Sequence, residues 1–214
     1  MKYNMQLINS VAEIERDILS SLSKILEIAL SKSVSEIDRN IKILIKQSLQ
    51  LEPEYMSLTG GELRYHFGIA DVSNVDRVID SVINTLNIQV NNISTGTQGL
   101  SGGLIITMLG AGDLTDIIGS DPAQVKDSER GYSLPWLEWL LLRNNEIIIN
   151  NYDVKLGPNP SSRTGNAIMV KSNNSWRVPP AFAGSIENNW ITRSLNRIDD
   201  EIMNVITKTI SNKL

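Results

Sequence analysis

LINSVAEIERDILSSLSKILEIAL, residues 7–30, decides the first half of the fold. Its apolar positions Ile8, Val11, Ile14, Ile18, Leu22, Ile25, Leu26 and Ala29 recur at three and four residues, which draws one apolar stripe along a helix. Ser31-Lys32-Ser33 reads as a break or kink. The period resumes with Val34, Ile37, Ile41, Leu44 and Ile45. An end near Leu51 follows, because Pro53 disfavours helical geometry in the residue before it. Two long helices, or one bent helix, therefore open the chain.

Working outward, the same period returns in two places. Val75, Val78, Ile79, Val82, Ile83 and Leu86 predict a helix from Ser73, capped by Ser73 or Asn74. Ile191, Leu195, Ile198, Ile202, Val205, Ile206 and Ile210 predict one long closing helix over residues 188–210. Between them lie strand signals: Ile88 to Ile93, Leu104 to Leu109, and Ala167 to Lys171. Glu146 to Leu156 reads as one long strand or as a tight hairpin through Asn150-Asn151. The Gly/Ser/Thr-rich stretch from Ser94 to Gly103 reads as a loop, and Gly157-Pro158-Asn159-Pro160 as a turn. Residues 110–134 read as a long loop, mobile in the free chain. No crossover helix joins the strands, so the expected class is α+β: long N-terminal helices, a small antiparallel or mixed sheet, and a long C-terminal helix. The domain division expected is a helical arm at 1–52 and an α+β domain at 53–214 with an inserted loop at about 110–134.

Composition bounds what such a chain can bind. The 214 residues carry a formal charge of −4, which offers no excess of positive charge to nucleic acid. Cysteine is absent, which removes disulfide frameworks and thiolate zinc sites. The N-terminus, Met1-Lys2-Tyr3-Asn4, leads into a charged periodic segment rather than the apolar core of a signal peptide. Apolar runs such as Leu137 to Leu142 fall far short of the roughly 20 residues that span a membrane. A soluble, unsecreted protein without membrane contact is expected.

The chemistry-bearing residues do not assemble into a catalytic or cofactor motif. His66 is the single histidine, so it cannot build a multi-histidine metal site, and it reads as a partly exposed residue beside a turn. Residues 96–103 lack the spacing and lysine of a phosphate loop. Gly110-Ala111-Gly112 has Thr115 where a dinucleotide loop needs its third glycine. Asp113, Asp116 and Asp121 miss the calcium-loop spacing, and Asp199-Asp200-Glu201 reads as a solvated helix face. No cofactor and no metal are expected, and the chain reads as structural rather than enzymatic. Four tryptophans, Trp136, Trp139, Trp176 and Trp190, all lie in the C-terminal part. They read equally as core packing or, with neighbouring arginines, as an interaction surface.

Two segments carry a family resemblance. Leu134-Pro135-Trp136-Leu137-Glu138-Trp139-Leu140-Leu141 is one. Ser162-Arg163-Thr164-Gly165-Asn166-Ala167-Ile168-Met169, continuing through Trp176-Arg177-Val178-Pro179-Pro180-Ala181-Phe182-Ala183-Gly184, is the other. Both resemble the neck or tail-completion proteins of long-tailed bacteriophages. Leu58-Thr59-Gly60-Gly61-Glu62-Leu63-Arg64 stands where that family has a Thr-Gly-x-Leu-Arg turn, with one residue more. Trp190-Ile191-Thr192-Arg193-Ser194-Leu195 is similar to the family's aromatic entry into its closing helix. The resemblance covers roughly residues 35–214, with residues 110–134 as an insertion.

The resemblance implies a ring-forming domain and a virion protein. Its expected place is the phage neck, assembled in the host cytoplasm, where a ring joins the head connector to the tail around the DNA channel. Six-fold symmetry is favoured over twelve-fold, with other connector and tail proteins as partners. DNA would pass through the lumen without specific binding. Trp136, Trp139, Arg163, Trp176, Arg177, Trp190 and Arg193 are the interface candidates. The alternatives are a tail terminator that caps the tail tube, or a non-viral helical-arm adaptor.

Overall fold

The computed structural model describes residues 9–96, 99–127 and 131–214. Leu7 and Ile8, with Thr97 and Gln98 and residues 128–130, fall outside them, so the parts of the helix and loop expectations that rest on these residues do too. In chain order the elements are α1 (Val11–Leu51), α2 (Pro53–Gly60), α3 (Glu62–Phe67), α4 (Ser73–Asn84), β1 (Asn87–Gly96) and β2 (Gly99–Thr107). Then come α5 (Ala111–Gly119), a 3-10 turn at Asp121–Ala123, β3 (Val125–Asp127), β4 (Tyr132–Leu134) and α6 (Trp136–Leu141). The chain ends with β5 (Ile147–Leu156), β6 (Ala167–Arg177), α7 (Trp190–Arg197) and α8 (Asp199–Ser211). The class is α+β. Among the described residues the strands form three separate two-stranded antiparallel sheets, β1–β2, β3–β4 and β5–β6, rather than one sheet.

Two compact units are present. The first holds the chain up to Ile41, Asn87–Thr107 and Met203–Leu214; the second holds Lys42–Leu86 and Met108–Ile202.

In the first unit, α1 begins with reciprocal capping. The Ser10 amide donates to Glu13 Oε2 (2.9 Å), and the Glu13 amide donates to Ser10 Oγ (3.3 Å). The expected break at Ser31-Lys32-Ser33 does not occur. Ser33 Oγ donates to the Ala29 carbonyl one turn back (2.7 Å), so its hydroxyl is satisfied inside the helix and the side chain is buried without interrupting the ladder. The Gly-rich stretch read as a loop is hairpin strand instead, with a register irregularity between Asn91 and Ser94. Gly102 sits at φ +126, and a Cβ there would fall 2.4 Å from the Asn92 carbonyl oxygen. The glycine is what lets the two backbones close, so its presence marks an irregular strand, not a loop. Lys213 Nζ pairs with Glu36 Oε2 at 3.1 Å, tying the C-terminal segment to α1.

In the second unit, the end of α1 buries Ile45 and Leu49, and α4 buries Val75, Val78, Ile79, Val82 and Ile83 as its period requires. The expected cap at Ser73 or Asn74 is replaced by Asp71, whose Oδ1 accepts from the Ser73 amide (3.0 Å) while Val72 takes the cap position. Residues 110–134, read as loop, contain α5, the 3-10 turn and β3–β4. Sparse as its apolar residues are, Ile117, Ala123 and Val125 are buried, and Trp136 Nε1 donates to the Pro122 carbonyl (2.9 Å).

β5 is one strand. It accommodates Asn150-Asn151 as a bulge, with Asn151 at φ +60, rather than turning there. The predicted turn after it is closed by the Gly157 amide donating to the Asn166 carbonyl (2.9 Å). The closing helix is two helices, broken at Ile198 (φ −104, ψ 13). Three acidic residues, Asp199, Asp200 and Glu201, fill the first turn after the break, where the helix dipole favours them.

Candidate functional site

The second unit has two places where functional side chains gather. The first is a joint between the end of α1, α2 and the start of α7. Asn189 caps α7 through its side-chain oxygen, which accepts from the Ile191 and Thr192 amides (3.0 and 3.1 Å). That cap aims α7 so that Trp190 Nε1 donates to the Leu49 carbonyl (3.1 Å) and Ser194 Oγ to Ser48 Oγ (2.7 Å). One turn further along, Arg193 Nη2 is bonded to Glu54 Oε1, and Arg197 Nη1 lies 2.9 Å from Glu52 Oε1. Both carboxylates are almost wholly buried, whereas Arg197 reaches Glu52 from the solvent side. Glu54 Oε2 has no hydrogen-bond partner among the described residues, so the Arg193 guanidinium is the chief compensation for a desolvated charge.

Gly60-Gly61 and Arg64 form the corner at the other end of α2. Gly61 sits against Ser57, where a Cβ would come within 3.0 Å of the Ser57 Cα. Arg64 Nε donates to the Ile69 carbonyl (3.2 Å), holding the corner where α3 ends in left-handed Gly68 (φ +70). The Leu58 to Arg64 motif is therefore a helical corner.

The second place is a cleft of about 710 Å³ between the end of α3, the β3–β4 hairpin and the β5–β6 hairpin. Tyr65 and His66 line one wall, Val154, Met169 and Trp176 another, and Lys126 and Arg163 bring positive charge to its edge. Lys126 is already paired with Asp121. Trp176 Nε1 donates to His66 Nδ1 (3.2 Å), which places the neutral ring's proton on Nε2, 3.3 Å from Glu62 Oε1. Burial holds the His66 pKa below its ordinary value, against the opposing pull of Glu62 and Asp153. The histidine is thus a part-buried hydrogen-bond link between α3 and β6, close to the turn at Gly68. Hydroxyls from Tyr132, Ser133, Ser161, Ser162 and Thr164 add to the cleft's polar lining, an arrangement suited to recognition.

The interface candidates divide by burial. Trp136, Trp176 and Trp190 are core residues of this chain, each with its indole nitrogen bonded inside it. Trp139 is half-buried, with the Arg143 guanidinium 5.8 Å from its ring centroid. Arg163 is exposed at the cleft edge. Arg177 is half-buried and donates to Asn145 Oδ1 (3.3 Å), and Arg193 belongs to the joint. The extended segment at 176–180 turns Trp176 and Val178 inward rather than outward.

Glu52 and Glu54 were not legible as functional. Glu-Pro-Glu reads only as a helix end, and its arginine partners lie about 140 residues later, as the 139-residue separation of Arg193 from Glu54 shows.

Asp113 accepts from the Gly110 amide (2.9 Å) and Asp121 pairs with Lys126, so the two serve different contacts. Among the described residues no three His, Cys, Asp or Glu side chains converge in a way that could hold a metal ion, and no helix is long and apolar enough to cross a membrane. In the first unit, the N-terminal half of α1 exposes Val11, Ile14, Ile18, Leu22, Ile25 and Ile28. Comparison with family models, curated proteins and solved structures gives no significant match.

Proposed function

We propose that this chain is a structural subunit of a bacteriophage neck, forming a ring that joins the head connector to the tail and surrounds the DNA channel. The observation that carries the reading is the joint. Two further motifs of the resemblance, Leu58 to Arg64 and Trp190 to Leu195, lie about 130 residues apart in sequence, yet both act on α2: the first closes its C-terminal corner with α3, and Arg193 of the second pairs with Glu54 in its first turn. Both motifs supply mechanical parts: Gly61 for close approach, Arg64 and Arg193 for bracing, Trp190 for anchoring. That is what a subunit needs when its task is to hold a fixed geometry rather than to transform a substrate.

The order of elements also supports it: a long first helix, short antiparallel hairpins and a closing helix. A subunit of this kind presents one surface to the next copy head to tail, and the ring closes when the rotation does, with six copies favoured over twelve. A net charge of −4 suits a channel through which DNA moves without sticking, because retention of phosphate requires Lys and Arg. The proposed location is the virion neck, after assembly in the host cytoplasm, with connector and tail proteins above and below. Electron microscopy of the purified chain, alone and mixed with disrupted virions, tests this: closed rings that attach to one end of tails support it, and failure to form rings or to attach sinks it.

A further inference from the structure

We propose that the exposed N-terminal half of α1 pairs antiparallel with the same segment of a second copy of this chain. The positions Val11, Ile14, Ile18, Ser21, Ile25 and Ile28 step by alternating three and four residues, the spacing of a coiled-coil seam. All five apolar members are exposed along about 26 Å of helix, by the rise of 1.5 Å per residue. The exception is Ser21, which opens a shallow groove on the seam bordered by Ile18, Leu22 and Ile25.

Ser21 fixes the direction. In a parallel pair it would face its own copy, leaving two small polar side chains and a gap in the middle of the seam. In an antiparallel pair Ser21 faces Ile18 of the second copy, Ile14 faces Ile25, and Val11 faces Ile28, so every layer holds at least one large apolar side chain. The Ser21 hydroxyl tolerates that burial because it already donates to the Asp17 carbonyl of its own helix (2.9 Å).

Charge agrees with the same register. Flanking the seam, Asp17 of one copy lies beside Lys24 of the other, and the twofold axis makes this pair twice. Asp17 is exposed, with Arg16 at 4.0 Å as its ion-pair neighbour among the described residues. A parallel pair would set Asp17 beside Leu22 and Lys24 beside Ala29, with no complementary charge. The pairing is isologous and closes on two copies, so it is a different contact from the head-to-tail one of a ring and does not rest on the neck reading.

The chain has no cysteine, so introduced thiols report without background. Ile18→Cys and Ser21→Cys variants, one of them carrying a mass tag, are oxidised separately and as a mixture. The expected result is a disulfide-linked pair in the mixture only, containing one of each. A cross-link with either variant alone, or none in the mixture, overturns the proposal. A second arm uses charge. Asp17→Lys should weaken self-association about tenfold, because two attractions are lost and two repulsions are gained. The Asp17→Lys, Lys24→Asp double variant should restore it. No restoration in the double variant counts against this register.

Discussion

Removing the Arg193 guanidinium would leave Glu54 with a charged carboxylate that is 3% exposed and has lost its partner. Breaking a buried pair from one side costs about 3–5 kcal/mol, so Arg193→Ala should lower the urea midpoint sharply. Glu54→Gln should cost less, because Arg193 is a third exposed and water can solvate it. Trp176→Ala should cost about 3–5 kcal/mol as well, since it empties a core site and strands the His66 bond. His66 gives this region a pH dependence whose sign follows from its environment. Its folded pKa lies below the unfolded value of about 6.5, so the native ring stays neutral while the unfolded chain takes up a proton. Stability should therefore fall as pH drops below about 6.5 and level off once pH passes the lower folded pKa. Denaturation midpoints at a series of pH values check this, and His66→Asn should remove that part of the slope.

At the level of elements, helices were read well wherever period and burial agree. The stripes of α1 and α4 are written in Ile, Val and Leu at fixed steps, and Ile37, Ile41 and Ile45 of α1 line the core with Val75, Val78, Ile79, Val82 and Ile83 of α4, whereas Val11 to Ile25 keep the period without burial. Reading failed where one local signal opposed a tertiary one. Ser31-Lys32-Ser33 looked like a break, but the Ser33 hydroxyl is absorbed by the helix itself. The glycines of β2 looked like a loop because glycine is common in both, and only the partner strand shows that Gly102 allows a close crossing. Among the described residues of 110–134, Ile117, Ala123 and Val125 are buried between many polar ones, too sparse to draw a period. The joint was half legible: its tryptophan and arginine stood out, whereas its glutamates are identified only by partners distant in sequence. Gly102→Ala tests the hairpin directly. With φ +126 and a Cβ 2.4 Å from a carbonyl oxygen, the variant should speed amide exchange across Asn87–Thr107. The strain expected is of order 1–3 kcal/mol. Unchanged exchange would mean that the close approach is absent in solution.

For the whole molecule, the two units place different demands on assembly. The second unit spends Trp136, Trp176 and Trp190 on its own core, so a ring contact must use groups such as half-buried Trp139 and exposed Arg163 instead. Trp139→Ala or Arg163→Glu should then impair self-association with little change in the unfolding midpoint, which separates them from Trp176→Ala. The first unit leaves an apolar stripe on α1 that a second copy can cover, a contact that ends at two chains. These two modes have distinguishable products. The measurement that bears most directly on the neck reading is electron microscopy of the purified chain at increasing concentration. The account predicts closed rings, six-fold in class averages, and rings that persist in the Asp17→Lys variant. Particles that remain single chains, or that stop at twofold pairs, would contradict the ring.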